Sequence, residues 1–392
     1  METHDIPWIK VIPGDICDKP IGSDTRLTST SVYHAFFACE IQIRSRDVRD
    51  MLKWGWNWGA LLDEAIDRQR LFIESQHFVA EPGQTAPLEC RTLALRYLYD
   101  PQSPGLQMGI VGKVIGITEE TARIAAVQHW RQIQSTFPHD YVLIPATSEQ
   151  DYHRLMGQNL IEDARVPDAY AEVQRFENVV STGEQRFYLL GSWHFSVRAN
   201  EQIWRVLAGS EQRVLLDILL RPTVLTEAEL VTLQLISQHI GKIAEDVDLI
   251  TVQPYARFAA EHYKKLLQFL RHPYIVQMRL VAPDGLPAYI PRTIGFALTH
   301  NEDRELAMPG FQAIHPQTQE DVEKWRYQLS ILEPDIQSAN LKDKRFARIR
   351  KMSDAYEANV LFRLPYPSQG GLPGGKLPIM IDEDGLDIDR QQ

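Results

Sequence analysis

The sequence predicts an α+β protein, with two or more small mixed sheets and helices packed on one side. Three observations carry that reading. Apolar runs of high β propensity alternate with stretches of helical period: MGIVGKVIGI (108–117) precedes TEETARIAAVQHWRQIQSTF (118–137), and PYARFAAEHYKKLLQFLRH (254–272) precedes YIVQMRLVA (274–282). Start and stop residues punctuate those stretches, with Thr118, the Ser148/Asp151 pair, the Thr226/Glu229 box and the Thr318/Asp321 pair opening helices and Gly157 and Gly241 closing them. Of the 392 residues, 44% are hydrophobic and 24% charged, enough to bury two or three cores.

Taken in order, residues 1–104 read as an irregular N-terminal region. It holds a strand at VYHAFFACEIQI (32–43) and an amphipathic stretch from Arg46 to about Arg70. Within that stretch Trp54, Trp56 and Trp58 alternate with Gly55, Asn57 and Gly59, a period of two that favours extended chain. Three rings on one face could stack bases or a partner's side chains, although such rings more often seal a small core. A lobe over 105–183 follows as strand, helix, strand (YVLIPA, 141–146) and short helix, trailing into the polar segment 158–183.

A second lobe over 184–335 begins with RFYLLGSWHFSVRA (186–199). It continues with a helix from Glu201 to Ala208, the run RVLLDILLRPTVL (213–225), and helices at 227–240 and 254–272. The strand at 274–282 comes next, then a Pro/Gly turn and a further strand, AYIPRTIGFALT (288–299), before a helix over roughly 319–332. Residues 336–392 read as a basic helix, a Pro/Gly linker and an acidic tail.

Several classes are disfavoured. METHDIPWIK lacks the basic start and apolar run of a secretory signal, and VLLDILL (214–220) is broken by Asp217 well short of a membrane span, so a cytoplasmic protein without membrane insertion is expected. Cys17, Cys39 and Cys90 stand too far apart for a zinc knuckle, and no metal or cofactor is expected. A net charge of −11 opposes a global grip on nucleic acid, leaving only local DNA contact possible.

The constellations that attract attention are few. NLKDKRFARIRKM (340–352) sets Lys342, Lys344, Arg345, Arg348, Arg350 and Lys351 against Asp343 alone. On a helix several of these cations would share a face able to meet phosphates or an acidic partner, or simply water. GGLPGGK fits a phosphate-loop pattern through Gly370, Gly375 and Lys376. Leu377, however, stands where a Ser or Thr must hold magnesium, and no buried strand precedes the loop, so a flexible exit linker is the preferred reading. His139 with Asp140, and His194, have no nucleophile partner in sequence and read as structural. Asp217 and Arg221 are candidates for a buried polar contact.

Together, the segments MGIVGKVIGITEETARIAAVQHWRQIQSTFPHDYVLIPATSEQDYHRLM, EHYKKLLQFLRHPYIVQMRLVAPDGLPAYIPRTIGFALTH and AYEANVLFRLPYPSQGGLPG resemble the N-terminal, non-motor region of HerA/FtsK-superfamily ATPases, including those of conjugation and type IV secretion, over about residues 100–375. The resemblance implies a module that shapes or docks a DNA-pumping motor ring. With Gln392 standing where such a motor would begin, it further implies either a P-loop motor ATPase supplied in trans or a truncated relic. A non-catalytic adaptor in DNA transfer, processing or defence is the leading expectation, with the basic cluster and the linker 363–376 as contact regions. The alternatives are a hydrolase or nuclease assembled from distant residues such as His139, and a single-strand binder using the three tryptophans.

Overall fold

A computed structural model describes residues 6–14, 32–43, 58–77, 91–182, 185–194, 197–245, 253–269, 273–299, 310–336 and 346–365. Ten strands form one sheet in the order β1 (Lys10–Gly14), β2 (Val32–Ile43), β4 (Ser103–Gly116), β3 (Arg91–Asp100), β9 (Val214–Pro222), β10 (Tyr274–Val281), β6 (Tyr170–Arg175) and β11 (Phe311–Ile314). Two short strands branch from this path: β5 (Tyr141–Pro145) pairs with β2, and β12 (Met352–Ser353) pairs with β10. A separate hairpin joins β7 (Glu177–Thr182) to β8 (Gln185–Leu190).

The α+β class is as expected, but the architecture is not a set of small mixed sheets. Every strand pairing is antiparallel, and the large sheet takes strands from all four predicted segments.

Helices cover both faces of this sheet, not one. Side chains of Phe37, Leu95, Ile110, Leu216, Ile218 and Met278 point to a face packed by α1 (Trp58–Ser75), α2 (Glu119–Thr136), α5 (Val197–Ala208), α8 (Tyr289–Thr299) and α11 (Ala355–Leu361). Their alternate neighbours, among them Phe36, Ala94, Val111 and Leu219, face α3 (Glu149–Met156) and the turn at Ile331–Leu332. Farther along that face, Leu98, Leu215 and Val281 meet α4 (Gln158–Asp163) and α9 (Gln319–Ser330). Period-two alternation with both sets of side chains buried is what a sheet covered on both sides requires. At one end an antiparallel pair, α6 (Glu227–Glu245) and α7 (Gln253–Phe269), closes a smaller core with Leu190, Ile275, Ile349 and Met352, the second of these from β10 and the third from α10 (Phe346–Ile349).

Local chemistry explains most boundaries. Thr118 and Thr318 sit extended and accept from the amides of Thr121 and Asp321, which return the bond to the cap, so both helices start on capping boxes. Gly157 closes α3 in the left-handed region at φ 62°.

The predicted strand at 288–299 is instead the helix α8. Its buried residues Ile290, Ile294, Ala297 and Leu298 recur at helical spacing, and Pro291 lies in the first turn, where no amide donor is needed. Gly295 is required there because a Cβ would collide with the ring of Phe311. The polar segment 158–183 is likewise structured, contributing α4, β6 and β7, and α6 runs through Gly241 to Glu245.

Candidate functional site: a buried charge row and a cross-molecule strap

On the second face of the sheet, four charged residues stand directly opposite one another on four adjacent strands. Cross-strand pairing sets Arg96 (β3) beside Asp217 (β9), Asp217 beside Arg279 (β10) and Arg279 beside Glu172 (β6), a row of alternating sign. All four are buried. Arg96 Nε donates to Asp217 Oδ1 at 2.8 Å, its Nη2 donates to the Leu329 carbonyl at 2.7 Å, and its Nη1 bonds the Met156 carbonyl. Glu172 accepts from Gln277 at 2.6 Å and from Lys351 Nζ at 2.9 Å. Burial lowers the affinity of Arg279 for its proton, an effect opposed by the charges of Asp217, Glu172 and Asp335.

A second set of charges lies alongside. The carboxylate of Glu333 is shared by Lys113 of β4 at 2.7 Å and Arg221 of β9 at 2.5 Å, and Arg221 Nε also donates to Thr92 at 3.2 Å. Burial on its own would raise the Glu333 carboxyl. The charges of Arg221 and Lys113, with their hydrogen bonds, outweigh it and hold the group at about 2.

Glu333 is delivered by a tight reversal after α9. Leu332 takes a left-handed φ of 51°, and the Glu333 amide returns to the Gln328 carbonyl at 2.8 Å, leaving α9 capped against the charged face. The Glu333 carbonyl then accepts from Arg279 Nη2 at 2.9 Å, and the Asp335 amide donates to Gln277 Oε1 at 2.9 Å. Asp217 therefore pairs with Arg96, and Arg221 with Glu333; both are in polar contacts of the kind the sequence suggested, with partners it could not name.

The basic cluster divides. Lys342, Lys344 and Arg345 lie outside the described residues, as do Trp54, Trp56, Gly370, Gly375 and Lys376, while Trp58 is the first residue of α1. Arg348, Arg350 and Lys351 are not on a solvated helical face, and for these three the expectation of a partner-facing surface is corrected. The helix there covers only Phe346–Ile349, and all three side chains turn inward to carboxylates. Arg348 meets Glu229 of α6 at 3.5 Å and bonds Thr223, Arg350 meets Glu177 at 2.8 Å, and Lys351 meets Glu172. Desolvation lowers the Lys351 ammonium, with Glu172 and Asp335 opposing it.

Those three residues open a strap, 346–365, that crosses the molecule. Lys351 O accepts from the Val276 amide at 3.0 Å before β12 pairs with β10. Arg175 of β6 then binds the strap by donating to the Met352 carbonyl at 2.7 Å and pairing with Glu357 at 2.9 Å. Glu357 also accepts from the Trp193 amide at 3.2 Å, and Asn359 donates to Ile66 O on α1 at 3.3 Å. Beyond α11, Tyr97 donates to the Arg363 carbonyl, Gln69 Oε1 accepts from the Leu364 amide at 3.2 Å, and Tyr141 donates to the Pro365 carbonyl at 2.8 Å. Where β10 exchanges β12 for β6, a cleft is lined by Glu172, Arg175, Glu177, Trp193, Arg350 and Lys351.

His139 and Asp140 both contact Arg68 of α1, at 2.7 and 3.0 Å, which ties the turn before β5 to that helix. His194 is fixed through its amide to the Leu298 carbonyl at 2.8 Å. His129, which the sequence reading passed over, is buried against Phe37 and beside Gln76; burial, aided by Arg91, lowers it to about 3.

Among the described residues, no helix is long and apolar enough to cross a membrane. Searches of protein-family models and of curated proteins return no match to this chain.

Proposed function

We propose that this chain is a non-catalytic adaptor that acts with a P-loop motor ATPase supplied in trans, in DNA transfer, processing or defence. The observation supporting the reading is the strap. Residues 346–365 bond to α6, β7, β6, β10, α1, β3 and β5 in turn, so Pro365, near the root of the linker at 363–376, is held at a fixed place on the sheet. A linker with a fixed root keeps whatever it engages within its own reach of that root, which is the service a docking module performs. The likeness of residues 100–375 to the non-motor region of HerA/FtsK-type ATPases points the same way.

The experiment is ATP turnover by the purified chain, alone and mixed with the product of any P-loop ATPase gene adjacent to its own, with and without duplex DNA. Altered turnover in the mixture, lost on changing Lys342, Lys344 and Arg345 to Glu, is the expected result. Turnover by this chain alone, abolished by Lys376→Ala, would overturn the reading and assign GGLPGGK a nucleotide-binding role. Arg348 and Arg350 are unsuitable probes, because reversing either would break an ion pair that is buried for Arg348 and half-buried for Arg350.

A further inference from the structure

We propose that the cleft between β6 and β12 binds one carboxylate group, the head of a small aliphatic monocarboxylic acid. This site is independent of the adaptor reading. It occupies the wedge where β6 and the strap share one side of β10, which pairs with β6 over Met278–Val281 and with β12 at Tyr274 and Ile275. Val276 and Gln277, between those two stretches, line the cleft. Its enclosed volume is about 20 Å³, against roughly 10–15 Å³ for one water, so a head group enters and a nucleotide does not. Leu190, Trp193 and Val276 give the wall apolar surface for a short hydrocarbon tail.

The buried charge row runs into this wedge and ends there on a cation. Arg96, Asp217, Arg279 and Glu172 alternate in sign across four strands, and Lys351, bonded to Glu172 at 2.9 Å, is the fifth member. Three cations thus stand against two anions, and an anion in the cleft continues the alternation by one place. The nearby carboxylate of Asp335 is held by Lys324, and the lining cation Arg175 is matched by Glu357. Arg350 is the other cation on the wall. Glu177 takes its Nη1, but its Nε, on a side chain only 8% exposed, meets no acceptor among the described residues. A buried donor left without an acceptor costs free energy that a carboxylate oxygen would recover, and Lys351 has further protons to offer beside the one directed at Glu172. The lowered ammonium of Lys351 reflects the same imbalance, because Glu172 and Asp335 do not offset burial and the neighbouring charge of Arg350.

Saturation-transfer NMR of the full chain titrated with sodium butyrate tests this without any motor present. Butyramide serves as the neutral isostere, and sodium chloride as a competing plain anion. The expected result is one saturable site for butyrate with a dissociation constant on the order of a millimolar, no transfer to butyramide, and little displacement by chloride at equal concentration. Arg350→Gln, a neutral replacement that leaves the 22% exposed Glu177 to water, should weaken butyrate binding about tenfold. The double variant Glu172→Gln/Lys351→Met removes the last pair of the row together and should abolish binding; if it does not fold, the Arg350→Gln titration decides. Absence of saturable binding, equal binding of butyramide, or butyrate binding unchanged in Arg350→Gln would overturn the proposal. So would chloride displacing butyrate at equal concentration, which would make the cleft a site for simple anions.

Discussion

The two faces of the large sheet solve the same burial problem with different chemistry. One face is packed by apolar side chains from five helices, and Ile218 or Met278 there is held by shape and exclusion of water. On the other face, one residue away along the same strands, Asp217 and Arg279 belong to a row whose members need specific partners. Apolar packing tolerates small changes of shape, whereas a buried charge tolerates almost none, because removing its partner strands it in a medium that solvates it poorly. The charged face therefore specifies which strands are neighbours, in what register, and where the turn carrying Glu333 must land.

The comparison can be broken most severely at Asp217. Asp217→Ala should cost about 4 kcal/mol in chemical denaturation by leaving Arg96 buried without its carboxylate. Combining Arg96→Met with Asp217→Leu should recover at least half of that loss, and failure to recover it would mean that the row contributes more than its ion pair.

Next comes Glu333→Gln, expected to cost about 3 kcal/mol at neutral pH, from a carboxyl held at about 2 against an ordinary 4.5. Because the folded value is depressed, this stability is complete above pH 4.5 and is lost as pH falls toward 2. The difference between wild type and Glu333→Gln should therefore shrink across that interval.

On the apolar face Ile218→Val should cost only about 1 kcal/mol, with no dependence on pH. An effect of similar size, about 1 kcal/mol, is expected from Tyr141→Phe, which keeps the ring but removes its bond to the strap and the one it accepts from Gln69.

Much of the element pattern was legible because its signals are local. The capping pairs at Thr118 and Thr318, the Gly157 stop and the apolar runs of β2, β9 and β10 are read within a few residues of where they act. AYIPRTIGFALT misled because its β-branched content outweighed a helical recurrence visible only when Ile290, Ile294, Ala297 and Leu298 are weighed together. The charge row was half legible. A lone charge in an apolar strand, as in VLLDILL, signals a buried pair, but its partner Arg96 lies 121 residues away and no local period can name it. The same distance effect hid the fate of Arg348, Arg350 and Lys351. A count of nearby charges sees only Asp343, whereas the acids that claim these cations stand on α6, β7 and β6.

The strap has a mechanical consequence. Tension applied to the chain beyond Pro365 would first load the Tyr141 hydroxyl, the Gln69 amide and the Tyr97 hydroxyl, three bonds anchored on three different elements. These are followed along the chain by α11, whose Ala358, Val360 and Leu361 are buried in the main core. A peeling load would break such bonds one at a time at low force. One directed along the strap would stress several together and reach the α6 end only after the Arg175 and Glu172 pairs had given way. The molecule would then yield in steps when pulled from this end, with the direction of the pull setting how much work the first step absorbs.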